Sequence, residues 1–288
     1  MWASAPTNQI KQRDQYDPAV FKNRAGACSH REGYVKGSVT VFYRIELIPK
    51  AELPEDVTDL LWDYWGRLYR SGQILKDYVF VKNQYYTLMV TTPKDDSLDP
   101  KYDTIYVQET RKKVETLFEL RMIPMGENLN SCRYCSCESH TAIDMVTYDG
   151  DIDSPFMCCD CGRPIALYEI PFVDHGEHCD VLFWKKDFSS MDWLWMSCLS
   201  DRFTGNQLVN PKSALNEQGR EIAQFLTKQL EIPVYYNMFD SRRKTVKRVN
   251  VGDRMCRVCP ICGETMRFAQ FSGQYVIDVC DGCGLSSD

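Results

Sequence analysis

The chain has 288 residues, 44% hydrophobic and 26% charged, the proportions of an ordinary globular protein rather than a disordered one. No apolar run approaches the ~18–20 residues that a bilayer span needs, and the first fourteen residues lack the apolar core of a secretory signal, so a soluble, cytoplasmic chain without a membrane partner is expected. A formal net charge of −6 excludes a protein that coats nucleic acid through overall basicity.

Residues 1–37 are polar and aperiodic, with Pro6 and Asp17-Pro18, and read as an extension without a core of its own. From Ser38, the positions Val39, Val41, Tyr43 and Ile45 alternate with more polar ones and predict a strand. Pro54-Glu55-Asp56 opens a helix in which Val57, Leu60, Leu61, Tyr64 and Leu68 recur at helical spacing, with Gly72 placed to end it. Two β-rich runs, 78–82 and 85–91, flank Asn83-Gln84 and read as a hairpin. A loop from Pro93 to Pro100 leads to a second helix through Tyr106, Val114, Leu117 and Phe118, and a short strand at 120–123 closes the series. The order β-α-β-β-α-β over residues 38–126 is the ferredoxin-like pattern.

Cysteine usage changes after that point. Thirteen of the fourteen cysteines follow residue 131, many in tight pairs. Cysteines two or three apart bridge each other only with strain but can hold one metal together, and in a reducing cytosol such pairs read first as zinc ligands. Residues 127–240 contain Cys132, Cys135 and Cys137, then Cys158, Cys159 and Cys161. The later pair is most simply Cys158-x2-Cys161, with Gly162 behind it. The earlier pair is either Cys132-x2-Cys135 or Cys135-x-Cys137. Between them, residues 142–148 look like a strand and Asp149-Gly150-Asp151 like a turn, which makes a second, ribbon-like zinc site. Residues 165–170 read as a strand ended by Pro171, and 181–195 as a helix rich in tryptophan. Asn210-Pro211 starts another helix, with Leu215, Ile222, Phe225, Leu226 and Leu230 as its apolar stripe. A strand at 234–239 follows Pro233.

Residues 241–288 form a basic strand and a terminal zinc ribbon. Cys259-Pro260-Ile261-Cys262 and Cys280-Asp281-Gly282-Cys283 are seventeen residues apart, within zinc-ribbon spacing. Gly263 and Gly284 follow the pairs, where a positive φ is easiest for glycine. Residues 264–271 and 274–279 read as strands joined at Ser272-Gly273. Four sulfurs complete a tetrahedron and leave no open position, so this ion is structural. Cys28, Cys179, Cys198 and Cys256 have no partner at ligand spacing and read as packing residues. Eight basic residues against five acids make 241–288 formally +3, so residues 1–240 carry −9. The strip Arg242, Arg243, Lys244, Lys247 and Arg248 leads into the ribbon, where Arg267 lies beside Phe268, Phe271, Gln274 and Tyr275. Basic side chains there would neutralise phosphates while aromatics stack on bases, unless those rings form the ribbon's own small core.

These motifs occur in a particular order: Ser154-Pro155 before Cys158-x2-Cys161, Pro164 with Leu167-Tyr168 and Pro171, Trp184 with Leu194-Trp195-Met196, Arg202-Phe203 with Gln207-Leu208, then the closing ribbon. In that order, over about residues 38–288, the chain resembles a bacterial family of zinc-ribbon-containing, candidate nucleic-acid-binding proteins of unknown function. The resemblance implies zinc at Cys259, Cys262, Cys280 and Cys283 and a cysteine site ending at Cys158 and Cys161, and implies no catalytic residue.

An enzyme is not expected. His175-Gly176-Glu177 superficially matches the H-x-E of zinc deaminases, but the P-C-x-x-C that must accompany it is missing, and His175 and His178 read as surface residues of a loop. P-loop, G-x-G-x-x-G and G-x-S-x-G motifs are absent. Two non-enzymatic roles remain: nucleic-acid binding through the basic strip and ribbon, or a protein partner, such as a toxin neutralised by the acidic N-terminal surface.

Overall fold

In the computed structural model, which describes residues 39–75, 78–82, 85–128, 133–146, 154–172, 176–197, 200–239, 248–251, 254–271 and 275–287, two helices cover one face of an antiparallel sheet. The elements run β1 (Val41–Pro49), α1 (Val57–Arg70), β2 (Tyr78–Lys82), β3 (Tyr86–Thr92), α2 (Ile105–Leu117) and β4 (Phe118–Glu127), with strand order β2-β3-β1-β4. Ile45 lies opposite both Leu88 and Met122, so the buried side of β1 continues across its neighbours. Ile45, Leu47, Leu88 and Val90 pack there against Leu61, Tyr64, Trp65 and Leu68 of α1 and Val107 and Val114 of α2. Thr104 caps α2 by accepting from the Val107 N–H. Inside this layer Arg111 is held by Asp103, through Nε to Oδ2 at 2.5 Å and Nη2 to Oδ1 at 2.8 Å, and Gln73 donates to the same carboxylate. The buried charge is thereby paired and hydrogen-bonded, the condition for tolerating it.

The remainder of the chain builds a second sheet. Its elements are β5 (Ile143–Met145), β6 (Phe156–Cys158), α3 (Cys179–Met196), α4 (Asp201–Val209), α5 (Ala214–Leu230), β7 (Val234–Asn237), β8 (Arg248–Val251), β9 (Arg254–Arg257), β10 (Arg267–Phe271), β11 (Tyr275–Cys280) and β12 (Leu285–Ser287). Six strands order as β10-β11-β12-β7-β5-β6, while β8 and β9 pair separately. Strand β7 is parallel to β12 on one side and to β5 on the other. Leu285 opposite Tyr236 and Ser286 opposite Asn237 therefore join the terminal hairpin to the mid-chain strands across residue 240. A buried carboxylate ties the three central strands: Asp144 on β5 accepts from Asn237 Nδ2 on β7 at 3.1 Å and from Ser286 Oγ on β12. On the opposite face, Val181, Trp184 and Phe188 of α3, Leu208 of α4, and Ile222 and Leu226 of α5 cover Ile143, Met145, Val234, Tyr236 and Leu285. Gly219 permits this approach, because a Cβ there would lie 2.4 Å from Tyr236 Cε2.

The two sheet modules meet along a built seam. Arg67 and Arg70 at the end of α1 each reach one oxygen of Glu177 at 3.0 Å, and the His178 N–H donates to the Arg70 carbonyl at 2.9 Å. Tyr168 donates to Asp96 at 3.1 Å, and Lys94 pairs with Glu169. Gly72 has φ +82°, and a Cβ there would fall 2.6 Å from Leu167 Cβ and 2.7 Å from the Tyr168 nitrogen.

Several expectations are corrected. Residues 165–170 form no strand; after a bridge from Pro164 to Met157 the chain turns through a 3-10 helix at Leu167–Glu169. That turn aims Tyr168 and Glu169 at the other module, a demand that local pattern does not encode. Asn210 ends α4 instead of starting a helix; its Oδ1 accepts from the Lys212 N–H, and Ser213 caps α5 by accepting from Asn216 N. Helix α4 and strands β6, β9 and β12 were not anticipated, whereas β8 begins within the segment expected to hold a basic strand. His178 is fully buried rather than at the surface, with its ring 4.4 Å from Phe172. Neither ring nitrogen has a partner at hydrogen-bond geometry. His175 lies outside the described residues.

Two predictions follow from the seam. Gly72→Ala adds a clash with backbone at a left-handed φ and should lower stability by roughly 2–3 kcal/mol in urea unfolding. Burial pushes the His178 pKa down to about 3, against an opposing pull from the Leu167 backbone. The unfolded chain therefore binds a proton below pH ~6.5 that the folded chain refuses, and stability falls as pH drops through that window. Between pH 7.5 and pH 5 the wild type should lose roughly 2 kcal/mol more than His178→Phe, which keeps the ring packing without the proton.

Candidate metal centres

Each cysteine pair sits on a turn whose backbone points its sulfurs to one spot. At the mid-chain site, Cys158 ends β6, and its carbonyl accepts from the Gly162 N–H at 2.7 Å, with Gly162 at φ +66°. The terminal site repeats the device: the Gly263 N–H donates to the Cys259 carbonyl at 3.0 Å, with Gly263 at φ +78°. Cys280 ends β11, and Gly284, at φ +63°, turns the chain into β12. The ligand atoms of Cys135, Cys137, Cys158 and Cys161 lie within 4.8 Å of one another, as do those of Cys259, Cys262, Cys280 and Cys283. Among the described residues the mid-chain set is Cys135-x-Cys137 with Cys158-x2-Cys161; Cys132, the alternative ligand, lies outside them.

The donor geometry fits zinc. With Zn–S bonds of about 2.3 Å, the edge of a tetrahedron is roughly 3.8 Å. Cys135 and Cys161 sulfurs are 3.4 Å apart, and those of Cys262 and Cys280 3.6 Å. Both clusters are consistent with structural zinc, which would supply cross-linking charge and no open coordination position for chemistry. In each, the first and third ligands are buried and the second is exposed. Their protonation equilibria show why a cation belongs there. Hydrogen bonding with Cys135 and then Cys158 holds the Cys161 thiol down at about 4, whereas its neighbour Cys135 is pushed up. Burial raises Cys283 to about 11, and the Glu264 backbone lowers Cys262. One thiolate forms at the expense of its neighbours, and only a bound cation lets four ionise together.

Around the mid-chain set, His140 Nδ1 lies 3.3 Å from Cys158 Sγ, and Asp160 accepts from Thr141 N at 2.8 Å and Thr141 Oγ1 at 2.5 Å. His140 was not singled out in the sequence; its position three residues after Cys137 was the available signal. Cys135, Cys158, Cys259 and Cys280 all belong to the core beneath α3–α5, so the two centres share one apolar interior. Of the remaining cysteines, Cys179 is half-buried with its sulfur 3.7 Å from Glu177 Oε2. Cys28 and Cys198 lie outside the described residues, as does the side chain of Cys256 on β9.

The expected nucleic-acid contacts are placed unevenly. Arg242, Arg243, Lys244 and Lys247 lie outside the described residues, and Arg248 begins β8 with its side chain outside them. Arg267 is not a free cation: it makes two 3.0 Å bonds to Asp281, which also accepts from Tyr235 at 2.7 Å. Phe271 packs against the cluster of Ala142, Cys159, Tyr235, Ala269, Ile277 and Val279, so this ring serves the core beside the terminal hairpin.

Fold and site define a mixed α+β protein with two main sheets and two tetra-cysteine centres. Residues 138–239 match a family described as a domain of unknown function (DUF2310). Two proteins of Haemophilus influenzae, each described as uncharacterized, are similar: one is 23% identical over 237 residues, covering 79% of this chain and 86% of the relative, and the other 23% identical over 198 residues, covering 68% and 94%. No solved structure matches the chain. Among the described residues, no helix is long and apolar enough to cross a membrane.

Because the two centres share a core, their metals should be coupled. Elemental analysis should give two zinc ions per chain. Cys280→Ser should remove one and weaken the other by about fivefold to a hundredfold in a chelator competition, the range of ordinary site coupling. Full independence of the remaining ion would contradict the shared core.

Proposed function

We propose that this is a non-enzymatic, zinc-braced binding protein that contacts nucleic acid through its C-terminal segment. The carrying observation is the closed donor set of both centres: four sulfurs each, packed into one core, brace a surface and offer no position to a substrate. In this reading the first module is a ferredoxin-like domain, since β-α-β-β-α-β with order β2-β3-β1-β4 is that topology, and each tetra-cysteine hairpin is a zinc ribbon. The segment 241–288, formally +3 on a chain of −6, supplies the charge. Since Asp281 engages Arg267, the contact rests on Arg242, Arg243, Lys244, Lys247 and Arg248, with Arg267 secondary.

A protein partner is the second reading, favoured by a different feature. Phe183 and Trp193 on α3 and Phe203 on α4 are 60%, 61% and 57% exposed, within the family-matched span. Large exposed aromatics are enriched where proteins meet.

Fluorescence anisotropy with labelled single-stranded oligonucleotides separates the two. Nucleic-acid binding should weaken by at least about tenfold between 50 and 200 mM salt. Replacing Arg242, Arg243, Lys244 and Arg248 with alanine should abolish most of it while both zinc ions stay bound. No binding at low salt would overturn this reading and leave the aromatic surface.

A further inference from the structure

The four-stranded sheet has two unlike edges. Edge strand β4 carries Glu119, Arg121, Pro124, Gly126 and Glu127, and its pairing shifts register at Phe42/Tyr43. Charges, proline and irregular register are the devices that stop a sheet from growing. Edge strand β2, Tyr78-Val79-Phe80-Val81-Lys82, has one charge at its end, no proline, and regular pairing with β3. Val79 and Val81 project from the sheet face opposite the helices and are 60% and 39% exposed. Phe80 projects to the other face, stacked on Tyr86 at 5.6 Å and edge-on to Trp62 at 5.8 Å; Trp62 is itself 47% exposed. The edge is therefore apolar above and below, and its backbone has no partner strand among the described residues.

We propose that β2 pairs antiparallel with β2 of a second copy of this chain, about a two-fold axis at Phe80, to form a continuous eight-stranded sheet. In that arrangement the strand is self-complementary. Val79 falls opposite Val81 of the second copy on one face, Phe80 meets its own counterpart on the other, and position 82 meets position 78. Parallel pairing would instead set Lys82 against Lys82, a destabilising like-charge contact. The ammonium of Lys82 lies over the Tyr86 ring at 5.1 Å, so the end charge is already drawn towards β3 rather than across the edge. Such an interface is isologous and closes on itself, so it yields a dimer and not a fibre.

Sedimentation of the full, zinc-loaded chain over a concentration series tests this. The expected species is about 67 kDa at high concentration, twice the 33.4 kDa chain. Val79→Lys should raise the dimer dissociation constant about tenfold or more, since a charge would face an apolar side chain. In the double variant Val79→Lys with Val81→Glu, each lysine would face a glutamate of the other copy, and dimerisation should return. Zinc content and melting temperature report whether these exposed positions leave the fold intact. A wild type that stays monomeric throughout overturns the proposal, as does a dimer indifferent to Val79→Lys. Failure of the double variant to restore pairing overturns the Phe80-centred register. None of these outcomes depends on nucleic-acid binding.

Discussion

The second sheet depends on thiolates gathered around a cation. Strands β5, β6 and β12 have three residues each, too few for their ladders to hold without help. The chain places ligands where those strands stop: Cys158 ends β6, Cys280 ends β11, and β12 begins two residues after Cys283. A metal at each set fixes the turn, the turn fixes the strand, and the strand presents its apolar side to α3, α4 and α5. Because Cys135, Cys158, Cys259 and Cys280 line one interior, the sites act as cross-links within a single core.

That core also explains why β7 is buried along its whole length. It lies between β12 and β5, so its backbone is satisfied on both sides, and Asp144 bonds to Asn237 and Ser286 hold the three strands in register. A buried carboxylate is costly unless its oxygens are engaged, and once engaged it disfavours a slipped pairing. The seam through Glu177, Asp96 and Gly72 then ties the first module to the second. Surfaces on the two modules, including the β2 edge and the aromatics of α3 and α4, are thereby presented by one connected framework.

The first module was largely legible. Its helices and strands are long enough to show their period, as in Val57, Leu61, Tyr64 and Leu68 on α1 and the alternation through Ile45 and Leu47 on β1. The cysteine spacing announced the terminal set and the Cys158-x2-Cys161 pair, because a two-residue gap on a tight turn is a local geometric fact, but it left the other mid-chain pair open between Cys132-x2-Cys135 and Cys135-x-Cys137. Less visible were elements whose form is set from a distance. The segment at 165–170 has β-compatible residues, yet contacts to Asp96 and Lys94 bend it into a turn. The pairing of Arg267 with Asp281, fourteen residues on, was likewise not visible in the sequence.

The sequence by itself determined the terminal four cysteines as one ligand set, the secondary structure of the longer segments and the charge contrast between the chain's two ends, since these are properties of composition and of neighbours a few residues apart. Only the tertiary structure decided that the two cysteine sites share a sheet and a core, that His178 is buried, and which sheet edge has no partner strand among the described residues. Parallel pairing of β7 with β12 joins residues about fifty positions apart through backbone groups that every residue carries, so no side-chain pattern could have declared it in advance.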